Sequence, residues 1–238
     1  MTTQELWICR LGTLEYREAL ALQERVRAAR QAGRVPDTLL LLEHPPVYTR
    51  GRRSDPSELP LGEAWYLGQG IDIVDTDRGG RVTYHAPGQL VGYPIMAIDD
   101  VIAFVRTMER AIVAALAAAG VEARTRTDEG PDFTGVWVGD EKIASIGVHV
   151  SRGVTTHGFA INVSNDLQPF EWVIACGLAG VQMTSVTEQT VTGGETPALP
   201  VVRRDIARHF ADAFRRRPTE ITAEGLDAAV QFGAEQPV

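Results

Sequence analysis

The sequence predicts an α+β fold, with helices packed on mixed or antiparallel sheets, from three observations. Period-2 and period-3.6 apolar patterns alternate along the chain with no internal repeat. Gly139 and Asp140, set between two apolar runs, have the chemistry of a tight hairpin turn. No linker divides the 238 residues, a length that can bury a sizeable single core. One domain is therefore expected over residues 1–218, with an acidic, Ala-rich tail over 219–238 that carries a short helix and then frays.

Each element follows from its local pattern. Residues 6–11 read as a strand and 16–32 as an amphipathic helix stopped at Gly33. Residues 38–43 form a continuous apolar strand closed by His44, Pro45 and Pro46. A loop of Gly, Pro, Ser and Arg then runs to Gly70, with a turn of helix near Trp65. Strands are predicted at 71–75, 82–84 and 90–96, around a glycine-rich turn. Residues 101–119 make a long helix whose Ile102, Val105, Met108, Ile112 and Leu116 form the core stripe. Four strands follow at 121–125, 133–138, 142–150 and 155–163. A closing helix spans 200–216, with Val201, Ile206, Phe210 and Phe214 on its buried side.

Composition excludes several classes. Apolar residues make up 44% and charged residues 23%, an ordinary globular balance. No apolar run approaches the roughly 20 residues that span a bilayer, and residues 1–5 lack the basic start and apolar core of a secretory signal. A cytoplasmic protein is expected. A net charge of −8 gives the whole molecule no general attraction for nucleic acid or an anionic membrane. The arginines are nonetheless clustered, with Arg50, Arg52 and Arg53 in one loop, Arg78 and Arg81 in another, and further groups at 203–204 and 215–217. Such clusters are either solvated surface or local docking patches for an acidic partner.

Only Cys9 and Cys176 are present, too few for a disulfide framework and without the clustered Cys and His of a zinc site. No metal or other cofactor is expected. Cys9 lies in the apolar run of the first strand and reads as a small buried hydrophobe. Cys176 is followed by Gly177, which leaves room for a bound acyl carbonyl beside a reachable nucleophile.

An unperturbed thiol is only about a tenth thiolate or less near neutral pH, so a reactive cysteine needs a basic neighbour. Of the 23 lysines and arginines, a single one, Lys142, is lysine. A lysine at a strand end ordinarily snorkels at the surface. In a chain that otherwise uses arginine, a sole lysine instead suggests an amine able to lose its proton, which a guanidinium cannot do. A third segment, Arg78-Gly79-Gly80-Arg81-Val82-Thr83-Tyr84-His85 with Gln89 beyond it, offers glycines that let backbone N–H groups approach a ligand. It matches neither the P-loop nor the dinucleotide spacing.

These segments, with Ser145-Ile146-Gly147 after Lys142, the run His157-Gly158-Phe159-Ala160, and Cys176-Gly177, resemble the lipoyl(octanoyl) transferases of lipoate biosynthesis. The likeness covers residues 39–187. It implies a fold like the catalytic domain of biotin and lipoate protein ligases. It also implies transfer of octanoyl from octanoyl-acyl carrier protein to a lysine of lipoyl domains, those of 2-oxoacid dehydrogenase complexes and the glycine cleavage H protein. By the same resemblance Cys176 carries the acyl thioester and Lys142 lowers its pKa. Residues Arg78 to His85, Ser145 to Gly147 and Gly158 to Ala160 would then line the acyl and pantetheine site. Two positions depart from the family pattern: Ala86 stands where Gly is usual, and Ala175 where Pro is common.

Three other readings compete. An ATP-dependent lipoate or biotin ligase would leave Cys176 unexplained, and a silent lipoyl-domain binding module would have no use for Cys176 and Lys142. A cysteine hydrolase would use His85 or His157 as its base. His44, His149 and His209 read as structural or surface residues.

Overall fold

In the computed structural model, which describes residues 4–174, 180–190 and 197–231, the first apolar run folds as strand β1 (Glu5–Thr13). Helix α1 (Tyr16–Gln31) follows and stops just before Gly33, whose φ of 70° suits a residue without Cβ. Strand β2 (Asp37–Glu43) is apolar on both faces because both faces are covered. Leu39 and Leu41 point into one core, and Leu40 and Leu42 into another.

The long loop expected up to Gly70 contains a strand that the sequence reading missed, β3 (Val47–Arg50), then helix α2 (Glu63–Gly68). Between Pro46 and Gly51 the pattern looks like a turn, and only the partners on either side make it a strand. Those partners are β4 (Asp72–Asp75), parallel, and β5 (Thr83–His85), antiparallel, and they form a three-stranded sheet. Strand β6 (Gln89–Ile95) leads to helix α3 (Val101–Ala118), N-capped by Asp100, whose carboxylate accepts from the Ile102 and Ala103 N–H groups.

The core stripe of α3 differs from the expected one. Phe104, Met108, Ala111, Ile112, Ala115 and Leu116 are buried, whereas Ile102 is 68% exposed. Val101, beside it in the first turn, is 43% exposed. The strand expected at 121–125 is absent. Val121 is buried in the core, and only Arg124 pairs, by two backbone bonds with Trp137, before 3-10 turns at Thr127–Glu129 and Pro131–Phe133 lead the chain away.

Strands β7 (Gly135–Val138), β8 (Glu141–Ser151) and β9 (Val154–Asn162) form an antiparallel meander, with Gly139 and Asp140 in the turn between β7 and β8. Short helices α4 (Gln168–Glu171) and α5 (Val186–Thr190) precede α6 (Leu199–Ala213). The buried side of α6 is Val202, Ile206, Phe210 and Ala211; Val201, expected inside, is 37% exposed. The segment after residue 218 is integrated into the fold as far as it is described. Strand β10 (Arg217–Ile221) pairs in parallel with β1, and α7 (Ala223–Gln231) buries Leu226 and Val230.

The large sheet therefore runs β10-β1-β2-β6-β9-β8-β7. Helices α3 and α6 pack on one face, and α1 and α7 on the other. Cys9 is fully buried in the second layer, as its apolar context predicts. The small sheet carries its own aromatic cluster of Tyr48, Tyr66, Tyr84 and Phe170. The α+β class is as the sequence predicts, and the candidate site lies where the glycine-rich turn before β5 of the small sheet approaches β8 and β9 of the large one.

Candidate active site

Between β8 and β9, the loop before β5 and the N-terminus of α1 lies a cavity of about 630 Å³, counting its open mouth. Glycines make this approach of backbones possible. A Cβ at Gly147 would stand 2.8 Å from the Gly79 carbonyl oxygen, and one at Gly158 would stand 2.2 Å from that of Gly92. Gly79 donates its N–H to Val148 at 3.0 Å, which ties the glycine-rich turn to β8.

Most of the residues singled out from the sequence meet here. Arg78, Gly80, Arg81, Thr83 and His85 line one wall, and Lys142, Ser145, Ile146, Gly147, Gly158, Phe159 and Ala160 line the other. Three do not. Tyr84 alternates to the far face of β5 and packs, with Val82, in the aromatic cluster. Gly79 serves the backbone junction rather than the wall. Cys176 and Ala175 lie outside the described residues. Ala86 is buried in the same aromatic cluster as Tyr84.

Lys142 is not a surface lysine. It is 3% exposed, and its Nζ stands 5.3 Å from the centroid of the Trp137 ring. Its backbone is fixed on both sides, with N–H to Gln182 at 2.9 Å and carbonyl from Thr184 at 3.0 Å. Opposite it, Gly135 has φ of 136°, and a Cβ there would come within 2.7 Å of the lysine Cε. The Gly135 N–H is held at 2.9 Å by Glu109, a carboxylate buried in α3 and paired with Arg106 at 2.8 Å.

Arg78 is 7% exposed and donates to the Thr49 carbonyl at 2.6 Å and to the Thr49 hydroxyl at 2.7 Å. At the mouth, Arg53 pairs with Asp132 at 3.1 Å and Arg81 with the buried Glu58 at 2.7 Å. Four basic side chains thus face one carboxylate, that of Asp132, among the described residues that line the cavity.

The floor is a cluster of rings that sequence reasoning only partly found. Tyr16 stacks on His85 with centroids 5.8 Å apart. His44 receives or gives hydrogen bonds at 2.7 Å to both the Leu14 carbonyl and the Tyr93 hydroxyl, and His85 contacts Gln89 Oε1 at 2.8 Å. The carbonyl can only accept, so His44 carries its proton on Nδ1 and accepts from Tyr93 at Nε2. Burial holds these imidazoles neutral: it lowers the pKa of His44 to about 4 and that of His85 well below its usual value. Burial also raises the Tyr16 hydroxyl to about 12.

His157 is the most constrained of the group. It sits in β9 with φ of 57°, a left-handed conformation rare for a residue with a side chain. Its backbone N–H is taken up by Gln23 Oε1 at 2.7 Å, and its Nε2 contacts Asp77 Oδ1 at 2.8 Å. That bond is the leading cause of an Asp77 pKa near 2, while burial lowers the His157 pKa. Of the remaining histidines, His149 also faces Asp77, at 3.3 Å, and His209 is half-buried on α6 beside Arg208. The lining residues missed from sequence are Tyr16, Arg53, Tyr93, Pro131, Asp132 and Thr134. They come from distant segments with no motif of their own; the Arg53 cluster alone carried a signal, its charge.

Among the described residues no cluster of three or more His, Cys, Asp or Glu is arranged to hold a metal ion, and no helix is long and apolar enough to cross a membrane.

Comparison with known proteins agrees with this architecture. The lipoyl protein ligase A/B catalytic domain family matches residues 15–211. An octanoyltransferase of Solibacter usitatus is 46% identical over 208 residues, covering 86% of this chain and 90% of its own. An octanoyltransferase of Mycolicibacterium smegmatis is 47% identical over 189 residues, covering 76% and 78%. Among solved structures, a lipoate-protein ligase A crystallised with ATP superposes with a TM-score of 0.78 at 21% identity, covering 97% of this chain and 94% of that one. That likeness speaks for the fold, and the close relatives speak for the family: the chain belongs to the lipoyl protein ligase A/B catalytic family, among its octanoyltransferases.

Proposed function

We propose that this acyltransferase moves an octanoyl group from octanoyl-acyl carrier protein to a lysine of lipoyl domains, through a thioester on Cys176. The observation that carries the reading is the placement of Lys142, the single lysine of the chain, buried in a cavity wall and held by Gly135 and Trp137. A buried amine fixed on two sides suits proton transfer better than solvation.

In the first half-reaction Lys142 takes the Cys176 proton, and the thiolate attacks the thioester carbonyl. The carbon–sulfur bond to the carrier's pantetheine breaks, and Lys142 returns the proton to the departing thiolate. In the second, the acceptor amine attacks the Cys176 thioester, the amide forms and the cysteine sulfur leaves. Exchange of one thioester for another is nearly balanced, and amide formation drives the sequence. Two steps at one site let two protein partners use it in turn, which predicts ping-pong kinetics.

Several features support the substrate assignment. Phe159, Ala160 and Ile146 offer apolar wall to an octanoyl chain. Arg53, Arg78 and Arg81 suit an anionic phosphopantetheine arm and an acidic carrier surface. The acceptors that fit are the lipoyl domains of 2-oxoacid dehydrogenase complexes and the glycine cleavage H protein, and the work is cytoplasmic. The test is intact-mass spectrometry after mixing with octanoyl-acyl carrier protein. The expected product is an adduct of about 126 Da, the acyl group less one hydrogen, on Cys176. Its absence from the native chain, or its persistence in Cys176→Ala, overturns the thioester.

A further inference from the structure

The proposed cycle, on which this inference rests, leaves one proton without a destination. The acceptor lysine arrives as an ammonium and must lose two protons to become an amide. Lys142, left neutral by the first half-reaction, takes the one released as the tetrahedral adduct collapses and passes it to the departing Cys176 sulfur, which restores the starting thiol. The other must leave the ammonium before its lone pair can attack.

The cavity floor holds a base that the cysteine and lysine do not use. His157 lines the cavity, with Tyr16 beside it at 3.4 Å from Tyr16 oxygen to His157 Nδ1, and its Nε2 lies 2.8 Å from Asp77. An ionised Asp77 can only accept, so the neutral ring carries its proton on Nε2 and presents Nδ1 as an acceptor toward the Tyr16 hydroxyl. The hydroxyl is protonated at neutral pH and can donate to Nδ1 while its own lone pair accepts. The left-handed backbone of His157 is the price of aiming the ring this way, and Gln23 fixes it by binding the N–H.

We propose that His157, reached through the Tyr16 hydroxyl and oriented by Asp77, is the base that deprotonates the incoming lysine ammonium. The N–H bond of the ammonium breaks toward Tyr16 oxygen as the Tyr16 proton passes to Nδ1. The resulting imidazolium is stabilised by the Asp77 carboxylate, and it yields its proton to solvent once the amide product leaves. The logic is that of a nucleophile, base and orienting acid, with the nucleophile supplied by the partner. The other charged or titratable groups facing His157 are Arg78, His149 and His85, which oppose the imidazolium when charged, and Tyr93, edge-on at 6.3 Å. Asp77 is 42% exposed, so the dyad also opens toward water.

The test compares two nucleophiles on the same preformed octanoyl-Cys176 enzyme. The acceptor domain's lysine needs a base; hydroxylamine, unprotonated near neutral pH, does not. In His157→Gln, Tyr16→Phe and Asp77→Asn the ratio of lysine transfer to hydroxylaminolysis is expected to fall, by about 100-fold for His157→Gln. Log rate against pH should level off for the native enzyme but keep rising in His157→Gln, as only preformed amine reacts. Equal losses for both nucleophiles would mean packing alone, and an unchanged ratio in all three variants overturns the base. Failure of the native enzyme to form the adduct strikes the octanoyl-transfer reading instead. Tyr16→Phe and the partly exposed Asp77→Asn remain informative if His157→Gln does not fold.

Discussion

Gly135 and Lys142 are packed so closely across the β7–β8 hairpin that a methyl group on the glycine would overlap the lysine side chain, 2.7 Å from Cε and 2.5 Å from the Ala144 carbonyl oxygen. Two constraints act at once, because the glycine also has φ of 136°. Gly135→Ala is expected to cost about 1–3 kcal/mol of stability from backbone strain alone. It should also displace Lys142, slowing formation of the octanoyl adduct by more than the stability loss explains. Urea denaturation beside adduct-formation kinetics measures both.

Lys142→Gln removes the capacity to take up a proton and leaves no cation to stabilise the thiolate. Iodoacetamide alkylation of Cys176 as a function of pH is expected to shift its midpoint upward, toward an ordinary thiol, with transfer falling about 100-fold or more. An unchanged alkylation profile would remove Lys142 from the mechanism.

Gly92 faces the ring of Phe159, and a Cβ there would come 2.1 Å from the ring's Cζ. The ring is 2% exposed and lines the cavity, so Gly92→Ala must push it into the space offered to the acyl chain. The expected outcome is a shift in preference toward donors shorter than octanoyl, read from competing hexanoyl and octanoyl carrier proteins. Overpacking should lower stability by about 1–3 kcal/mol.

Stability should fall as pH falls, in two windows. His44 has a folded pKa of about 4 against 6.5, because burial disfavours its cation. Between those values the unfolded chain binds a proton that the folded one refuses, so stability is full above about pH 6.5 and declines toward pH 4. His44 alone accounts for up to about 3 kcal/mol. The lowered pKa values of His85 and His157 act in the same direction. Asp77, near 2 against 3.8, contributes stability above its unfolded value that is lost below it. Urea midpoints measured from pH 8 to pH 4 should decline through the first window, and His44→Gln should flatten that slope. A decline unchanged in His44→Gln would assign it elsewhere.

The sequence made the β7–β9 meander legible because its signals are local. An apolar run, a Gly-Asp turn and a lone lysine just past it locate β7, β8 and Lys142 without any knowledge of the rest. The end of α1 is similarly readable from Gly33. What escaped depends on partners far away. Strand β3 exists because β4 and β5 pair with it, and residues 121–125 are not a strand because only Arg124 finds a partner. Val201 and Val202 are adjacent, and their roles are set by where α6 begins. Tyr16 and Tyr93 reach the cavity from α1 and β6, and nothing in their own neighbourhoods distinguishes them from core aromatics.

The burial of Lys142 has a further chemical meaning. On the proposed cycle the protein holds an activated acyl group and delivers it to lysines, and such an enzyme would ordinarily be surrounded by amines of its own. Here the single lysine is 3% exposed and every other basic chain is a guanidinium, which does not compete as an acyl acceptor at neutral pH. The surface therefore offers no side-chain amine to capture octanoyl from a neighbouring copy. Amine-directed labels and cross-linkers would likewise find no side-chain handle on the folded protein.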